Sequence, residues 1–114
     1  MPLPSREFAA ARVLAPSGRL DHDNCEAFRG ELAAHVDACA RAGKAIVLDL
    51  SGLEYVSSAG LRCFMLAAKQ AKAQGGRVLL AAMQPVVREI FQISRFDLVF
   101  ELFHTVDEAL ASSA

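Results

Sequence analysis

The chain lacks any apolar run approaching the ~20 residues of a membrane-spanning helix. Its opening residues, Met1-Pro2-Leu3-Pro4-Ser5-Arg6, lack the apolar core of a signal peptide. Both absences imply a soluble cytoplasmic protein with no direct membrane insertion. An excess of one charge is also missing. With 12 basic and 13 acidic residues the net charge is −1, so there is no basic stripe to hold nucleic acid. Paired cysteines are absent too. Cys25, Cys39 and Cys63 are odd in number and unevenly spaced, which fits neither a disulfide framework nor a zinc site. All three fall in helical patterns and read as buried free thiols. There is no glycine-rich phosphate cradle either. Gly75-Gly76 follows a helix and precedes a strand, the reverse of the order a phosphate loop needs.

What is present suits one α/β domain. A chain of 114 residues buries roughly 65% of its unfolded surface, enough for a real core. Residues 7–14, followed by the Pro16-Ser17-Gly18 turn, predict one or two short initial strands. Asp21-His22-Asp23-Asn24 gathers helix-capping residue types. Behind it, Ala27, Phe28, Leu32, Val36 and Cys39 recur at helical spacing, predicting a helix over about 23–41 that Gly43 ends. Asp23 and Glu26 have the spacing of a capping box. Residues 44–50 form a continuous apolar run, as in a strand buried on both faces of a parallel sheet. A helix follows over 58–74, then a second buried strand over 77–83. Gln84-Pro85 starts a third helix with apolar face Val86, Val87, Ile90 and Phe91. Residues 96–102 hold a short last strand, and Thr105-Val106-Asp107-Glu108 is a capping box for a final helix. The order β-β-α-β-α-β-α-β-α predicts a mostly parallel sheet of four to five strands packed with about four helices. The first strand can pair antiparallel at an edge.

Ser57 and Ser58 stand where the strand-like run gives way to the second helix. A hydroxyl there can cap the helix, act as a nucleophile or accept a phosphate. The nucleophile reading finds no support: there is no G-x-S-x-G elbow, no S-x-x-K pair, and His22, His35 and His104 are scattered. His22 and Cys25 stand three apart without a second pair of metal ligands. One hydroxyl of the pair suffices for the cap, which leaves the other spare. Arg62, Met65, Lys69 and Lys72 line one helix face, while Leu61, Phe64, Ala68 and Ala71 line the face turned to the sheet. A basic stripe is ordinarily a solvated face. An exposed Met65 on it, close to Ser58, suggests a protein-docking surface.

The segment Asp49-Leu50-Ser51-Gly52-Leu53-Glu54-Tyr55-Val56-Ser57-Ser58-Ala59-Gly60-Leu61 resembles the signature of the STAS domain (sulfate transporter and anti-sigma factor antagonist) family. Gly18-Arg19-Leu20-Asp21 is similar to that family's G-x-L-D segment. Gly75-Gly76 before a strand and Pro85-Val86-Val87 at a helix start also fit. The resemblance covers about residues 8–112, which implies a single STAS domain over 1–114. Chains of this length resemble bacterial anti-sigma factor antagonists, or anti-anti-sigma factors. The family's phosphorylated serine lies two positions before the motif glycine, which is Ser58 here. The aspartate usual before it is Ser57, and the hydroxyl residue usual after it is Ala59.

The resemblance implies a regulator of transcription that works by partner switching and is neither an enzyme nor a cofactor protein. The unphosphorylated form would bind a GHKL-type serine-protein kinase that is also the anti-sigma factor. Phosphorylation of Ser58 would release it, and a PP2C-type phosphatase would reset it. The implied partner surface comprises Asp21, His22, Ser57, Ser58, Arg62, Met65 and Lys69. The changes at Ser57 and Ala59 motivate an alternative, a non-switching STAS scaffold in a lipid-transport or signalling assembly.

Overall fold

The computed structural model describes residues 3–113. Its elements run β1 (Ser5–Glu7), β2 (Ala11–Leu14), β3 (Gly18–Leu20), α1 (Cys25–Arg41), β4 (Ala45–Asp49), β5 (Leu53–Val56), α2 (Ser58–Ala73), β6 (Val78–Ala81), α3 (Pro85–Ile93), a 3₁₀ turn (Phe96–Leu98), β7 (Glu101–Phe103) and α4 (Val106–Ser113). The main sheet has five strands in the order β1-β2-β4-β6-β7. Among the described strands only β1 is antiparallel, at the edge beside β2, and the other pairings are parallel, as expected.

The apolar runs of β4 and β6 do not alternate because helices cover both faces of the sheet. Leu14, Ile46, Leu48, Val78 and Leu80 join the larger core, which α1, α2 and α3 cover. Ala11, Val13, Ala45, Val47, Leu79 and Ala81 point the other way, toward Ala109 of α4. Alanines on both sides let that helix approach closely. On the larger face a line of rings ties the helical layer together. Phe28 meets Phe64 at 5.6 Å, Phe64 meets Phe91 at 5.7 Å, and Phe91 meets Phe100 at 6.0 Å, each edge to face. Such pairs each add about 0.5–1.5 kcal/mol beyond the area they bury.

A second, two-stranded parallel sheet joins β3 to β5, and the sequence reading did not anticipate it. The sequence pattern shows residues 16–18 as a turn and marks no strand between residue 50 and the serine pair. Strands of three and four residues are too short to show a period of two, and Gly18, at φ +80, does make a turn just where β3 begins. The pair is held by buried Leu20, Leu53 and Val56, and by the Arg19 guanidinium 4.3 Å above the Tyr55 ring.

Helices α1 and α2 both end in Schellman motifs. Gly43 and Gly75 take positive φ, and the following amides, Lys44 and Gly76, donate to Cys39 O (2.8 Å) and Ala71 O (2.7 Å). Thr105 caps α4 as expected, accepting from Glu108 N at 3.1 Å. The Asp23–Glu26 capping box does not form. The turn is built from Asp21 instead: its carbonyl accepts from Cys25 N, its carboxylate accepts from Asp23 N, and its own amide donates to Asn24 Oδ1. Glu26 is left to pair with Arg29 at 2.9 Å. Three helical side chains also depart from their expected faces. Ala27 and Val86 are exposed, and Met65, expected exposed, is half-buried.

Candidate functional site at the start of helix α2

The small β3–β5 sheet delivers the serine pair. Ser57 N donates to Leu20 O at 2.9 Å, extending the ladder one residue past β5. Its backbone is extended, at φ −82 and ψ 174, and its Oγ accepts from Gly60 N at 3.2 Å. Ser57 is therefore the N-cap. Ser58, the first helical residue, is exposed, and its hydroxyl makes no hydrogen bond with any described residue. The two hydroxyls divide their roles as the sequence reading allowed: one holds the helix and the other is free.

Gly60 sets how closely α2 approaches β3. A Cβ at this position would lie 2.9 Å from Leu20 Cγ, 3.0 Å from Leu20 O and 3.0 Å from Val56 Cγ1. Only glycine lets the first turn of α2 rest on the end of β3. This contact brings the 20–24 loop beside the serine pair. Asp21 is half-buried within the turn that starts α1, and His22 is exposed, with Nε2 3.3 Å from Asp23 Oδ1. The β6–α3 loop converges on the same end of the molecule, where Gln84 Nε2 donates to Ser51 O at 2.7 Å.

Arg62 is exposed one turn beyond Ser58, and Met65 and Lys69 lie farther along the same helix. Thus Asp21, His22, Ser57, Ser58 and Arg62 gather around the start of α2, whereas Met65 and Lys69 extend away from it. Sequence reasoning missed Arg29 and Leu66. They line a recess of about 380 Å³ with Cys25, Glu26, Ala59, Arg62 and Cys63, between the first turns of α1 and α2. Leu66 stands four residues after Arg62, a spacing that could have flagged it.

The Cys63 thiol of the recess is not a reactive thiolate. Burial, with a smaller contribution from Cys25, pushes the Cys63 thiol up to about 11, and its Sγ donates to Cys25 O at 3.3 Å. The Glu26 carboxyl is held below its usual range by the hydrogen bond from Arg29. Among the described residues no group of three or more His, Cys, Asp or Glu side chains could hold a metal ion. No described helix is long and apolar enough to cross a membrane.

Comparison with known proteins agrees with this fold. The family model of the STAS domain matches residues 5–109. A protein of Bordetella bronchiseptica, provisionally named the anti-sigma factor antagonist BtrV, is 40% identical over 95 residues, covering 83% of this chain and 79% of its own length. Among solved structures, a provisionally named anti-sigma factor antagonist of Thermotoga maritima superposes with a TM-score of 0.85 at 22% identity, covering 97% of this chain and 93% of that one. The Bacillus cell fate determinant SpoIIAA in its phosphorylated form gives a TM-score of 0.72 at 20% identity, covering 99% of this chain and 100% of its own. Domains of this kind are regulatory and not catalytic. The chain belongs to the STAS domain family and is a relative of its anti-sigma factor antagonists.

Proposed function

We propose that the chain is a phosphoswitched anti-sigma factor antagonist whose switch is Ser58. The observation that carries this reading is an exposed hydroxyl without a structural duty, set at the first position of a helix that its neighbour already caps. Unphosphorylated, the protein binds a GHKL-type serine kinase that doubles as the anti-sigma factor, and so frees that protein's other client. The kinase transfers the γ-phosphoryl group of ATP to Ser58 Oγ; ADP leaves and the hydroxyl proton is lost. The complex then separates, and a PP2C-type phosphatase hydrolyses the ester to restore the hydroxyl. The reading has the protein work in the cytoplasm.

The physical terms are consistent with it. Phosphate adds about −1.5 to −2 charges. At a helix start, the free N–H groups and the helix dipole favour an anion, so the fold tolerates it. The same charge inside a packed interface meets desolvation and facing carboxylates. A penalty of only ~3 kcal/mol there weakens binding roughly a hundredfold. The replacement of aspartate by Ser57 keeps the cap, since both residue types accept equally well at that position. It also removes a negative charge beside the incoming phosphate.

Incubation with the cognate kinase and ATP tests the proposal. Mass spectrometry should find one phosphate, on Ser58, and none in Ser58→Ala. A kinase that phosphorylated Ser58→Ala as fast as the parent chain would remove the assignment.

A further inference from the structure

Away from the serine pair, α2 borders a groove of about 530 Å³ that no described element fills. Met65, Ala68 and Ala71 of α2 form one side, Val99 and Phe100 the other, and Val78 the floor. Lys69 and Lys72 stand on the rim. Neither has an ion-pair partner among the described residues, whereas the groove's one carboxylate, Glu101, is taken by Arg77 at 2.8 Å. Helix α2 carries Arg62, Lys69 and Lys72 and no acidic residue, in a chain with a net charge of −1. On the groove wall Val99 is 53% exposed, and its chain neighbour Leu98 is 79% exposed. Adjacent exposed apolar side chains of this size mark interaction surfaces.

We infer that this groove docks an acidic amphipathic helix of a protein partner, at a site distinct from the Ser58 switch. The groove lies beside α2 at the β6–β7 end of the sheet, where a further helix would extend the layer. The apolar floor takes the partner's nonpolar stripe, and the unpaired Lys69 and Lys72 take its carboxylates. Charge also argues against a second copy of this chain, because a symmetric contact would bring these lysines together. At 1.5 Å per residue, Lys69 and Lys72 lie roughly 16 and 21 Å along the helix from Ser58. Both exceed the ~8 Å screening length at physiological salt, so phosphate on Ser58 leaves this site unaffected. The inference takes from the proposed function only that the chain works by binding proteins.

The test is a titration of the ¹⁵N-labelled full chain with a synthetic helical peptide carrying a leucine stripe flanked by glutamates. A peptide with lysines in place of the glutamates and phosphatidylglycerol vesicles serve as controls. The acidic peptide should shift the amides of Met65, Lys69, Lys72, Phe100 and Glu101 and leave those of His22 and Ser58 in place. Lys69→Glu/Lys72→Glu changes two exposed positions, so the fold should persist, verified by an otherwise unchanged spectrum; it should weaken the peptide about tenfold, as two lost and reversed surface pairs imply. Ser58→Asp should bind within about twofold of the parent chain, given the screening. Equal binding of acidic and basic peptides, shifts elsewhere, binding of vesicles alone, or loss of binding in Ser58→Asp would each overturn the inference. The kinase assay on Ser58 reads none of these quantities, so the two proposals fail separately.

Discussion

Gly60→Ala and Gly30→Ala are the same substitution in two helices, and the structure gives them opposite signs. Gly30 is exposed on α1, and a Cβ there meets nothing within 4 Å. Only the backbone entropy of glycine is at stake, so alanine should stabilise by about 0.8–1 kcal/mol. At Gly60 the propensity gain is smaller, because the residue lies in the first turn of its helix. Against it stand three contacts at 2.9–3.0 Å, one of them to the backbone oxygen of Leu20. That oxygen is tied to Ser57 N at 2.9 Å, and Leu20 and Val56 are buried, so neither neighbour can retreat. Overpacking of this kind costs about 1–3 kcal/mol, which outweighs the gain and leaves a net loss of about 1–2 kcal/mol. For a chain of 114 residues, an unfolding entropy of ~2.1 cal/mol/K per residue makes 1 kcal/mol worth about 4 °C. Thermal unfolding by circular dichroism should show Gly30→Ala up by about 3–4 °C and Gly60→Ala down by about 4–8 °C. A Gly60→Ala protein as stable as the parent would refute the claim that glycine sets the seat of α2 on β3.

Ser57→Ala should lose about 1 kcal/mol, or ~4 °C, with the cap, whereas Ser58→Ala should stay within ~0.5 kcal/mol of the parent; equal losses would mean that the hydroxyls share the cap. Native protein at pH 7.5 should react slowly with iodoacetamide at Cys63, whose thiol sits at about 11, and at Cys39, whose thiol burial also raises, while unfolding in urea exposes both; rapid native labelling of Cys63 would contradict its burial. His35, 3.0 Å from Arg12 Nη1, is held below its usual range by burial first and by the Arg12 cation second, with Glu31 and Glu7 opposing. Folding thus favours its neutral form, so this stability is fully present above about pH 6.5 and is lost as pH falls through the lowered value. Urea midpoints at pH 7.5 and 5.5 should differ more for the parent chain than for His35→Gln, and identical pH slopes would rule the histidine out.

Where a pattern was long, it was legible. The runs in β4 and β6 could be read because burial on both faces leaves them uninterrupted, and α2 because its glycine stop and its apolar face agree. The β3–β5 sheet was not legible, because its strands offer only a few positions each and find each other across a long stretch of chain. Capping types were gathered at 21–24, but their assignment depended on which backbone groups they could reach, and Asp21 reached them first. The serine pair showed that one hydroxyl was spare. Which one was spare rested on the extended backbone of Ser57, a property of the β5 end that no local pattern encodes. Helical spacing likewise grouped Met65 with the basic stripe, yet it could not show that Val99 and Phe100 line a groove with it.

The arrangement around Ser58 separates stability from signalling more cleanly than a lone serine could. Every interaction that holds the start of α2 falls on a neighbour. Ser57 supplies the cap and the bond to Leu20 O, Gly60 supplies the close approach to β3, and Leu61 and Phe64 supply the buried face. A phosphate on Ser58 therefore has no native contact to break within the fold, and it enters where helix N–H groups favour an anion. Its cost then falls on whatever protein covers that end of the helix. The groove by Lys69 and Lys72 lies beyond the reach of that charge, so one helix can carry a contact that responds to phosphorylation and, on our inference, another that does not. Measured side by side, Ser58→Asp should weaken the kinase and spare the acidic peptide, and Lys72→Glu, outside the implied kinase surface, should weaken the peptide while Ser58 remains a substrate. A single variant that abolished both would mean that the two ends of α2 act as one surface.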